Sequence, residues 1–597
     1  MYGFHGRLLH VDLSTGKSSW REIEEARLQK FLGGVGLGTS LLYEFCPANV
    51  EPFAAENPLI FSSAPLVGTG LTTTAKYAVV TKSPLTGLIA DSLSSSFFAL
   101  ELKRIGIDAL VITGRAHAPV YLFASEQHVE LRSAGDLWGK SASEAETLVR
   151  AKHDVAVRVA AIGLAGEKLV RYATISNEGR HAGRGGVGAV MGAKNLKAVA
   201  LRGQAQIAVA DPTAVAAIAA ALRERSVGTL TAKYREIGTV ANLAVFNQLG
   251  TLPTRNFQQA SFEQAERLSG ESLTENSFSR KHGCASCTIR CERLFKSLSG
   301  DEQRLEYESL YALGPLCGID DPETVLQAAR LCDHYGIDTI STGATLAWAM
   351  ECGEKGLLPA AAACGLRFGN GASVLQMIAQ IAERRDLGSL LAEGSRRAAA
   401  HAGAASAFCA MHVKGLEMPG YEPRSLKTMA LGLAVSPRGA CHNRSGAYEA
   451  DFSGDVDRLN GDTNRGSLVK ASEDFNATLD SLIVCKFLRK CFDDFYGESA
   501  ELLQRVTGWR YSDNDMRRTG ERINTLKKLF NIREGWRPSD DWLPERLLCE
   551  PIRDGIAQGV KLSAEELRAM IQSYYGARGW DQHGFVPEDK LKELGLV

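Results

Sequence analysis

The chain has 597 residues, of which 45% are hydrophobic and 23% are charged, and this composition is ordinary for a globular protein. This length excludes a single hydrophobic core and predicts roughly three or four domains. The formal net charge of -1 gives no reason to expect a nucleic acid or an anionic membrane surface as a partner.

The start of the chain and its cysteines predict a reduced, cytoplasmic protein. Residues 1–16, MYGFHGRLLHVDLSTG, lack the basic start and the apolar stretch of a signal peptide. No segment offers the ~20 uninterrupted apolar residues that span a bilayer, so no membrane is expected as a partner. The 13 cysteines are odd in number and mostly scattered through apolar stretches, which argues against a disulfide framework and for metal binding.

Short strand-like runs separated by turns dominate the first ~200 residues. They lie at 7–13, 109–114, 120–125, 128–134 and 157–166. These runs follow one another too closely for repeated strand–helix–strand units. A mostly antiparallel sheet layer is therefore expected in this part of the chain.

A glycine-rich run, RHAGRGGVGAVMGAKNLK at 180–197, follows these strands. Glycines allow the backbone to approach phosphate closely, and Arg180 and Arg184 supply positive charge. From position 183 the run satisfies the pattern G-x-G-x-x-G, and residues 169–176 can form the strand before it. A dinucleotide site also needs an acidic residue about twenty positions later, and none is there. Phosphate binding of another kind, or a glycine-rich connection without a ligand, is therefore expected.

Helical signals replace the strand signals after this run. Asp211 and Pro212, and again Asp321 and Pro322, place an N-cap carboxylate before a proline at the first helical position. The helix that follows Pro322 is predicted to end at Gly336. Further helices are predicted at 373–385, at 515–531 and after Ser563, which forms a capping box with Glu566.

The change from strands to helices predicts an α+β fold. We expect an N-terminal double β-sheet layer domain followed by two mainly α-helical domains. The boundaries are placed near residues 205 and 412, which gives the domains 1–205, 206–412 and 413–597. The second domain then holds the run CASCTIRC described next.

Three cysteines lie close together in the run CASCTIRC, at Cys284, Cys287 and Cys291. Three thiolates on one short turn suit an iron–sulfur cluster or a zinc ion, and either normally needs a fourth ligand. The spacing C-x2-C-x3-C reverses that of radical S-adenosylmethionine enzymes, and a zinc ribbon would need a second C-x2-C pair. Structural cysteines without a metal are the remaining alternative. The candidates for a fourth ligand are Cys441, Cys485 and Cys491.

Two distant segments share a short sequence pattern, an internal echo. DHYGIDT begins at Asp333 and DSLIVCK begins at Asp480. Both read aspartate, two residues, a short apolar pair and then Asp or Cys. By itself this echo does not predict a function.

Taken together, these features resemble the aldehyde:ferredoxin oxidoreductase family, tungsten enzymes that carry two pterins and a [4Fe–4S] cluster. The resemblance covers nearly the full length of the chain, and its motifs are specific because so many occur in the same order. The matching segments are GRLLHVDLSTG (6–16), TKSPLTG (81–87), AGRGGVGAVMGAKNLKA (182–198), the three-cysteine run, EYESLYALG (306–314), GIDTISTG (336–343) and RGACH (438–442).

The resemblance implies which residues hold the cofactors. The family has two DxxGL(D/C) repeats, one for each pterin, and the second repeat supplies the fourth cluster cysteine, which is Cys485 here. Cys441 and Cys491 are then ordinary thiols. The tungsten bis-pterin group, which Mg²⁺ can bridge, would have as its implied contacts Lys76, Leu93, Ser95, Arg180, His181, Ala182, Gly183, Asp333, Ile337, Asp338, Arg444, Asp480 and Val484.

Two further residues occupy positions that the family assigns to the substrate pocket. Glu308 can act as a base that activates water, and His442 can polarise or protonate an aldehyde oxygen. Without the resemblance, Glu308 would be interpreted as an exposed carboxylate at a helix start and His442 as a structural imidazole. The resemblance implies that both are catalytic.

Several residues depart from the family pattern. Ile483 stands where the second repeat usually has glycine, so backbone contacts to that pterin are expected to differ. Lys76 replaces an arginine and loses bidentate phosphate binding. Leu93 and Ser95 replace an asparagine and a glycine, so any contact they make is expected to run through main-chain groups.

The departures also bear on assembly. Family members that form iron-bridged homodimers carry E-x-x-H on the helix before the first repeat, where this chain has Gln327 and Arg330. An iron-bridged homodimer is therefore not expected. Because the chain holds one cluster, we expect ferredoxin or an iron–sulfur subunit, with a flavin subunit as a further partner.

The resemblance implies oxidation of an aldehyde with water to a carboxylic acid at the tungsten centre. Electrons would leave through the [4Fe–4S] cluster to ferredoxin or a partner subunit. Two alternatives remain open at this point. One is a reductive aromatic acyl-coenzyme A reductase component of the same family, and the other is a non-catalytic iron–sulfur subunit that only relays electrons.

Overall fold

The computed structural model describes residues 1–597, and two six-stranded sheets form its N-terminal part. The strands of the first sheet are β1 (Arg7–Asp12), β2 (Lys17–Glu22), β3 (Leu59–Ser62), β4 (Lys76–Lys82), β5 (Ile89–Ser95) and β6 (Ala109–Thr113). The strands of the second sheet are β7 (Val120–Ala124), β8 (Val129–Ser133), β9 (Arg158–Ala161), β10 (Ile175–Asn177), β11 (Arg180–Ala182) and β12 (Leu196–Leu201).

Most neighbouring strands in both sheets are antiparallel, as expected. The strand orders are β2-β1-β6-β3-β4-β5 and β11-β10-β9-β12-β7-β8, and only β1 with β6 and β7 with β12 pair in parallel. In the β4–β5 pair, Lys76 lies opposite Ser95 and Val80 lies opposite Asp91. Because side chains alternate along a strand, Asp91, Leu93 and Ser95 share one face of β5.

Six helices accompany these sheets, namely α1 (Glu25–Phe31), α2 (Gly34–Phe45), α3 (Phe97–Arg104), α4 (Ala142–Lys152), α5 (Leu164–Glu167) and α6 (Val187–Ala193).

Both sheets contribute to one hydrophobic core. Phe61 and Tyr77 of the first sheet share a buried cluster with Leu122 and Val199 of the second and with Phe98 of α3. The two sheets therefore form a stacked double layer.

The rest of the chain is mainly helical. Its helices are α7 (Pro212–Arg225), α8 (Ala232–Glu236), α9 (Asn242–Gln248), α10 (Gly270–Ser277), α11 (Tyr307–Leu313), α12 (Pro322–Tyr335), α13 (Thr339–Glu354), α14 (Pro359–Ala363), α15 (Gly371–Glu383), α16 (Asp386–Leu391), α17 (Ser395–Ala402), α18 (Ala404–Ala407), α19 (Lys427–Val435), α20 (His442–Ser445), α21 (Tyr448–Asp451), α22 (Arg465–Leu482), α23 (Phe495–Thr507), α24 (Asp513–Arg533), α25 (Glu545–Cys549), α26 (Ala564–Arg578) and α27 (Glu588–Leu594). Five short strands interrupt them, namely β13 (Phe278–His282), β14 (Glu292–Lys296), β15 (Glu302–Arg304), β16 (His412–Val413) and β17 (Leu416–Glu417).

The predicted helix ends are present. The Asp211 carboxylate accepts a hydrogen bond from the Ala214 N–H at 3.0 Å, and Asp321 accepts one from the Thr324 N–H at 3.0 Å. Gly336 ends α12 in the left-handed conformation, with φ of 75°. Ser563 forms the expected capping box at the start of α26.

Two strand predictions were wrong in part. Residues 157–166 divide into β9 and the short helix α5, and most of 169–176 is irregular, with only β10 at its end. The reason is close backbone packing, because a Cβ on Gly166 would lie 3.0 Å from the Gly188 carbonyl oxygen of α6. The α+β class, with a double sheet layer followed by helices, is confirmed. The boundaries at 205 and 412 stay a prediction.

None of the helices combines the length and the apolar composition that crossing a membrane requires.

Candidate metal centre and adjoining cavity

The three clustered cysteines lie on the loop that connects β13 to β14. Two residues of this loop, Ser286 and Arg290, adopt left-handed φ values of 55° and 47°. The loop is fixed to residues 70–74 of the N-terminal part, because the Thr288 and Thr72 hydroxyl groups bond at 2.7 Å. The Thr72 hydroxyl also accepts the Thr288 N–H at 3.1 Å. These contacts hold the cysteine loop against the double sheet layer.

Cys485 lies within electrostatic reach of this loop, although it is almost two hundred residues away in the sequence. Burial, and next the charge of Cys485, raise the pKa of the Cys287 thiol to about 11. The pKa of Cys291 is raised by burial, by Glu306, and then by Cys485 and Cys284. Burial would lower the pKa of Lys76, yet the neighbouring Cys485, Asp480 and Cys284 raise it above its ordinary value.

This donor set fits a cluster with four thiolate ligands. The backbone N–H groups of Arg290 and Ile289 donate toward the Cys287 sulfur, and the Ser95 hydroxyl lies 3.2 Å from the Cys284 sulfur. Such donors stabilise thiolates that carry negative charge. No three His, Cys, Asp or Glu side chains reach the spacing of a single bound metal ion.

The other two candidate ligands are engaged elsewhere. Arg438 donates a hydrogen bond to the Cys441 sulfur at 2.7 Å. The Cys491 thiol donates to the Arg225 carbonyl oxygen, with a separation of 3.8 Å. The fourth-ligand role of Cys485 is therefore the one that the surroundings favour, and it stays a prediction.

The internal echo of the sequence is a structural repeat. Gly336 and Ile483 each end a helix in the left-handed conformation, with φ of 75° and 64°. The next residues, Ile337 and Val484, both donate back to the helix, to the Cys332 and Leu479 carbonyl oxygens. Each unit then reaches an extended residue, Asp338 or Cys485, that starts another helical segment.

The aspartates of the two units carry matched basic partners. In the first unit, Asp333 contacts His181 Nε2 at 3.1 Å, and Asp338 accepts from Arg184 Nε at 3.3 Å. In the second unit, Asp480 accepts from Arg444 Nη1 at 2.8 Å. All six side chains lie mostly or fully buried where the double sheet layer meets the helices.

Arg444 belongs to a larger buried charge cluster around Asp91 on β5. The Asp91 carboxylate accepts from Arg444 Nε at 3.0 Å and from Lys527 Nζ at 2.6 Å, and Arg438 lies 3.7 Å away. Burial would raise the pKa of Asp91, but Arg444, Lys527 and Arg438 lower it well below its usual range. Within this cluster, Asp91 Oδ1 and Arg438 Nε are buried without a hydrogen-bond partner.

These unpartnered atoms and paired ions fit the polar anchors that pterins and their phosphates need. Lys76 and Ser95 lie opposite each other at the end of the β4–β5 pair, beside the cysteines. The half-buried Leu93 shares the Asp91 face of β5 and lines a small apolar cluster with Ile483. The pterin roles of these residues stay predictions.

Strand β11 carries the remaining predicted contacts. Arg180 is buried and paired with Glu292, next to the cysteine loop, so its guanidinium is engaged by a carboxylate. His181 Nδ1 contacts the Thr174 hydroxyl at 2.9 Å, and Ala182 is buried in the sheet opposite Ile175. Gly183, which follows this strand, has open space beside its backbone. A Cβ built on it would have only His181 Cβ as a neighbour, at 4.0 Å.

Close packing explains most of the glycine-rich run. A Cβ on Gly186 would lie 2.0 Å from the Arg171 carbonyl oxygen, and one on Gly188 would lie 2.2 Å from the Thr174 carbonyl oxygen. A Cβ on Gly192 would likewise lie 2.0 Å from the Gly166 carbonyl oxygen. These glycines therefore let α6 approach neighbouring backbone, and only Gly183 has open space for a ligand.

Glu308 and His442 line a cavity of about 900 Å³ beside these units. Glu308 Oε1 and His442 Nδ1 lie 3.4 Å apart, and both atoms are buried without a hydrogen-bond partner. Burial raises the pKa of Glu308 to about 8, although the Gly420 N–H donates to its other oxygen at 3.1 Å. Burial, and next Lys486 and Arg184, lower the pKa of His442 well below its usual value. At neutral pH the pair therefore holds mainly a protonated carboxyl and a neutral imidazole.

Aromatic side chains form much of the cavity wall. The Tyr421 ring stacks on the His442 ring at 5.3 Å and on the Tyr448 ring at 4.8 Å. Phe246 stacks on Phe452 at 5.2 Å. Flat or apolar molecules suit such walls, while the Glu308–His442 pair supplies the polar groups.

Sequence reasoning missed Asp91, Arg438, Lys527 and the aromatic wall. A signal for Lys527 exists, because it lies on the apolar face of α24 next to Leu526 and Phe530, where an unpaired lysine would be costly. Asp91 gives no such signal, because its partners are more than three hundred residues away in the sequence.

Comparison with known proteins gives a consistent result. The family model "Aldehyde ferredoxin oxidoreductase, N-terminal domain" matches residues 8–203, and the model for domains 2 & 3 of the same family matches residues 214–596. The chain is 38% identical to the tungsten-containing aldehyde ferredoxin oxidoreductase of Pyrococcus furiosus and 39% identical to that of Thermococcus kodakarensis, with 100% of each sequence covered.

One solved structure is also similar. The active-site complex BamBC of benzoyl coenzyme A reductase, in complex with 1,5-dienoyl-CoA, superposes with a TM-score of 0.86 at 24% identity. The match covers 100% of this chain and 97% of that chain. At this identity the likeness concerns the fold alone.

Proposed function

The chain belongs to the aldehyde ferredoxin oxidoreductase family, and from this premise we propose that it oxidises aldehydes to carboxylic acids at a tungsten bis-pterin centre. The reaction consumes one aldehyde and one water and releases the acid, two protons and two electrons. The observation that carries this proposal is the Glu308–His442 pair, whose unpartnered atoms lie 3.4 Å apart in the cavity wall.

The two side chains have complementary roles in this proposal. Neutral His442 donates a hydrogen bond to the aldehyde oxygen and withdraws charge from the carbonyl carbon. Glu308 in its ionised form takes the proton of the attacking water, and its raised pKa of about 8 makes it a stronger base than an ordinary carboxylate. The aromatic wall orients the apolar part of the aldehyde and excludes water from it.

When bound, the tungsten bis-pterin group supplies the two-electron redox chemistry. The residues proposed to hold it are the two repeat units with Arg184 and Arg444, the Asp91 cluster, Lys76, and the open backbone at Gly183. Cys284, Cys287, Cys291 and Cys485 are proposed to hold the [4Fe–4S] cluster that receives the electrons. Lys76 is close to both groups of residues, because Asp480 of the pterin group and Cys485 of the cluster group both raise its pKa.

Replacement of Glu308 by glutamine tests the proposal. Glutamine keeps the shape of the side chain but cannot accept the proton, so kcat for aldehyde oxidation should fall about 10²–10⁴-fold. Tungsten and iron contents should not change. The matched control is Glu302→Gln on β15, where the carboxylate is exposed and paired with Arg280.

The assay should offer both an aldehyde with an artificial acceptor and benzoyl-coenzyme A with a strong reductant. Unchanged aldehyde turnover in the Glu308→Gln enzyme would contradict the assigned proton transfer. Turnover of the thioester without any aldehyde oxidation would instead identify the chain as an acyl-coenzyme A reductase component.

A further inference from the structure

We propose that the surface around the cysteine loop is the docking site for an acidic electron-carrier protein. This surface, the cysteine-loop surface, consists of Gly70, Arg223, Val227, Lys281, Ser286 and Arg290. The inference rests on the proposed function, because a carrier is needed only if electrons leave through the four cysteines. In the transfer, the reduced cluster loses one electron and the oxidised carrier gains it, and no bond is formed or broken.

Hydrogen bonds join three separate segments into this one surface. Ser226, just after α7, bonds to the Thr288 hydroxyl at 2.6 Å, and Thr288 bonds in turn to Thr72 at 2.7 Å. Arg223 donates to the Gly70 carbonyl oxygen at 3.0 Å. The end of α7 and the loop before β4 therefore flank the cysteine loop directly.

The cysteines are close to the outside at this surface. Cys284, Cys287, Cys291 and Cys485 are only half-buried, while Ser286 and Arg290 of the same loop are exposed. Gly68 and Gly70 are exposed as well and have no side chains to hold a partner away. A protein that docks here can therefore bring its own redox centre near the four sulfur atoms.

The charge of the surface determines the kind of partner. Arg223, Lys281 and Arg290 are exposed, and none of them lies within ion-pair distance of a carboxylate. The neighbouring cations Arg225 and Arg280 are instead neutralised by carboxylates, because Arg225 pairs with Glu498 at 2.6 Å and Arg280 pairs with Glu302 at 2.9 Å. Glu224 is the nearest exposed acid along α7 and offsets only one of the three charges.

This local excess of positive charge contrasts with the whole chain, whose net charge is -1. A positive patch beside a redox centre attracts a negatively charged carrier and orients it on approach. Val227, which is 49% exposed and follows Ser226 directly, adds an apolar contact to this surface. An acidic ferredoxin-type protein matches this combination of charge and apolar area.

Charge reversal tests the proposal. In the holoenzyme, the double variant Arg223→Glu with Lys281→Glu should raise the KM for an acidic bacterial-type ferredoxin at least about tenfold. The control variant is Arg132→Glu on β8, at the opposite edge of the second sheet from β11. Methyl viologen, a small acceptor that needs no docking surface, should be reduced at the same rate by wild type and by both variants.

Direct binding and salt dependence provide further tests. The Kd for the same ferredoxin should rise at least about tenfold in the double variant, and wild-type binding should weaken as salt is raised. An unchanged KM and Kd, or wild-type binding that is indifferent to salt, would overturn the docking proposal. If the wild-type enzyme did not reduce methyl viologen with any aldehyde, the proposed function would be contradicted. The comparison of Kd values would still test the docking site in that case.

Discussion

At the scale of single residues, the protonation states of Glu308 and His442 give the account its most specific consequence. Burial raises the pKa of Glu308 to about 8 and lowers that of His442 well below its usual value. The imidazole is therefore neutral over the whole range from pH 6 to 10, and only the carboxyl changes its charge. Of this pair, only Glu308 can therefore contribute a pH dependence in this range. Burial also lowers the pKa of the neighbouring Lys486, to about 8, and this amine is a separate titrating group.

The predicted pH profile follows from this assignment. A base must be ionised, so kcat/KM should rise with pH and level off above about pH 8. Stopped-flow or steady-state rates with an artificial acceptor measure this, and the Glu308→Gln enzyme should lose this rise. A profile that falls through pH 8 would mean that Glu308 acts as an acid.

Cys485 is the second residue with a sharp test. Replacement by serine should lose or convert the cluster, because three cysteines from one loop would then remain. The iron content and the electron paramagnetic resonance spectrum measure this change. Cys491→Ser is the matched control, since that thiol contacts the Arg225 carbonyl oxygen. An unaltered spectrum in Cys485→Ser would assign the fourth ligand to another residue.

At the scale of elements, the repeat units explain the departure at Ile483. Glycine adopts left-handed φ without strain, and Gly336 does so in the first unit. Ile483 adopts φ of 64° at the equivalent point, which is rare for a β-branched residue. Its side chain is fully buried against Ala64 and Val67, so apolar packing offsets the backbone strain.

The glycines of α6 make a testable claim about packing. Gly188→Ala should destabilise the protein by about 1–3 kcal/mol, because the new Cβ would lie 2.2 Å from the Thr174 carbonyl oxygen. Gly576→Ala, at an exposed position of helix α26 with open space around it, should instead stabilise by about 0.4–1 kcal/mol. Thermal unfolding compares the two variants. Similar midpoints would show that α6 does not need close backbone approach.

Local sequence signals predicted the ends of helices correctly, but they did not predict contacts between distant parts of the chain. The caps at Asp211, Asp321 and Ser563 were predictable because a cap depends on residues within one turn of the helix. The strand predicted at 169–176 was mostly wrong, because contacts with α6 and with Gly336 determine that backbone. Sequence periodicity carries no information about such neighbours.

At the scale of the whole molecule, the fold class was accessible from the sequence, while the charge cluster was not. Asp91 meets Lys527 from the far end of the chain, at a separation of 436 residues. Such a pairing depends on how the helices cover the double sheet layer. A single sequence does not show how the helices are placed on the sheets, so the pairing of Asp91 with Lys527 was not predicted.

The absence of an iron-bridged homodimer stays a prediction at this scale. Gln327 donates to Glu323 at 2.7 Å, and Arg330 pairs with Asp301, so both positions make exposed contacts within the chain. Neither side chain is an iron ligand of the kind that E-x-x-H supplies. We therefore expect no iron beyond the cluster in the purified protein.

The most direct test of the central claim is the metal and pterin content of the anaerobically purified chain. We predict about one tungsten, about two pterins and about four iron atoms per chain, with the iron held by the four cysteines. Iron at this level without tungsten, molybdenum or pterin would contradict it. The chain would then be an electron relay, and the Glu308–His442 pair would have no redox centre to serve.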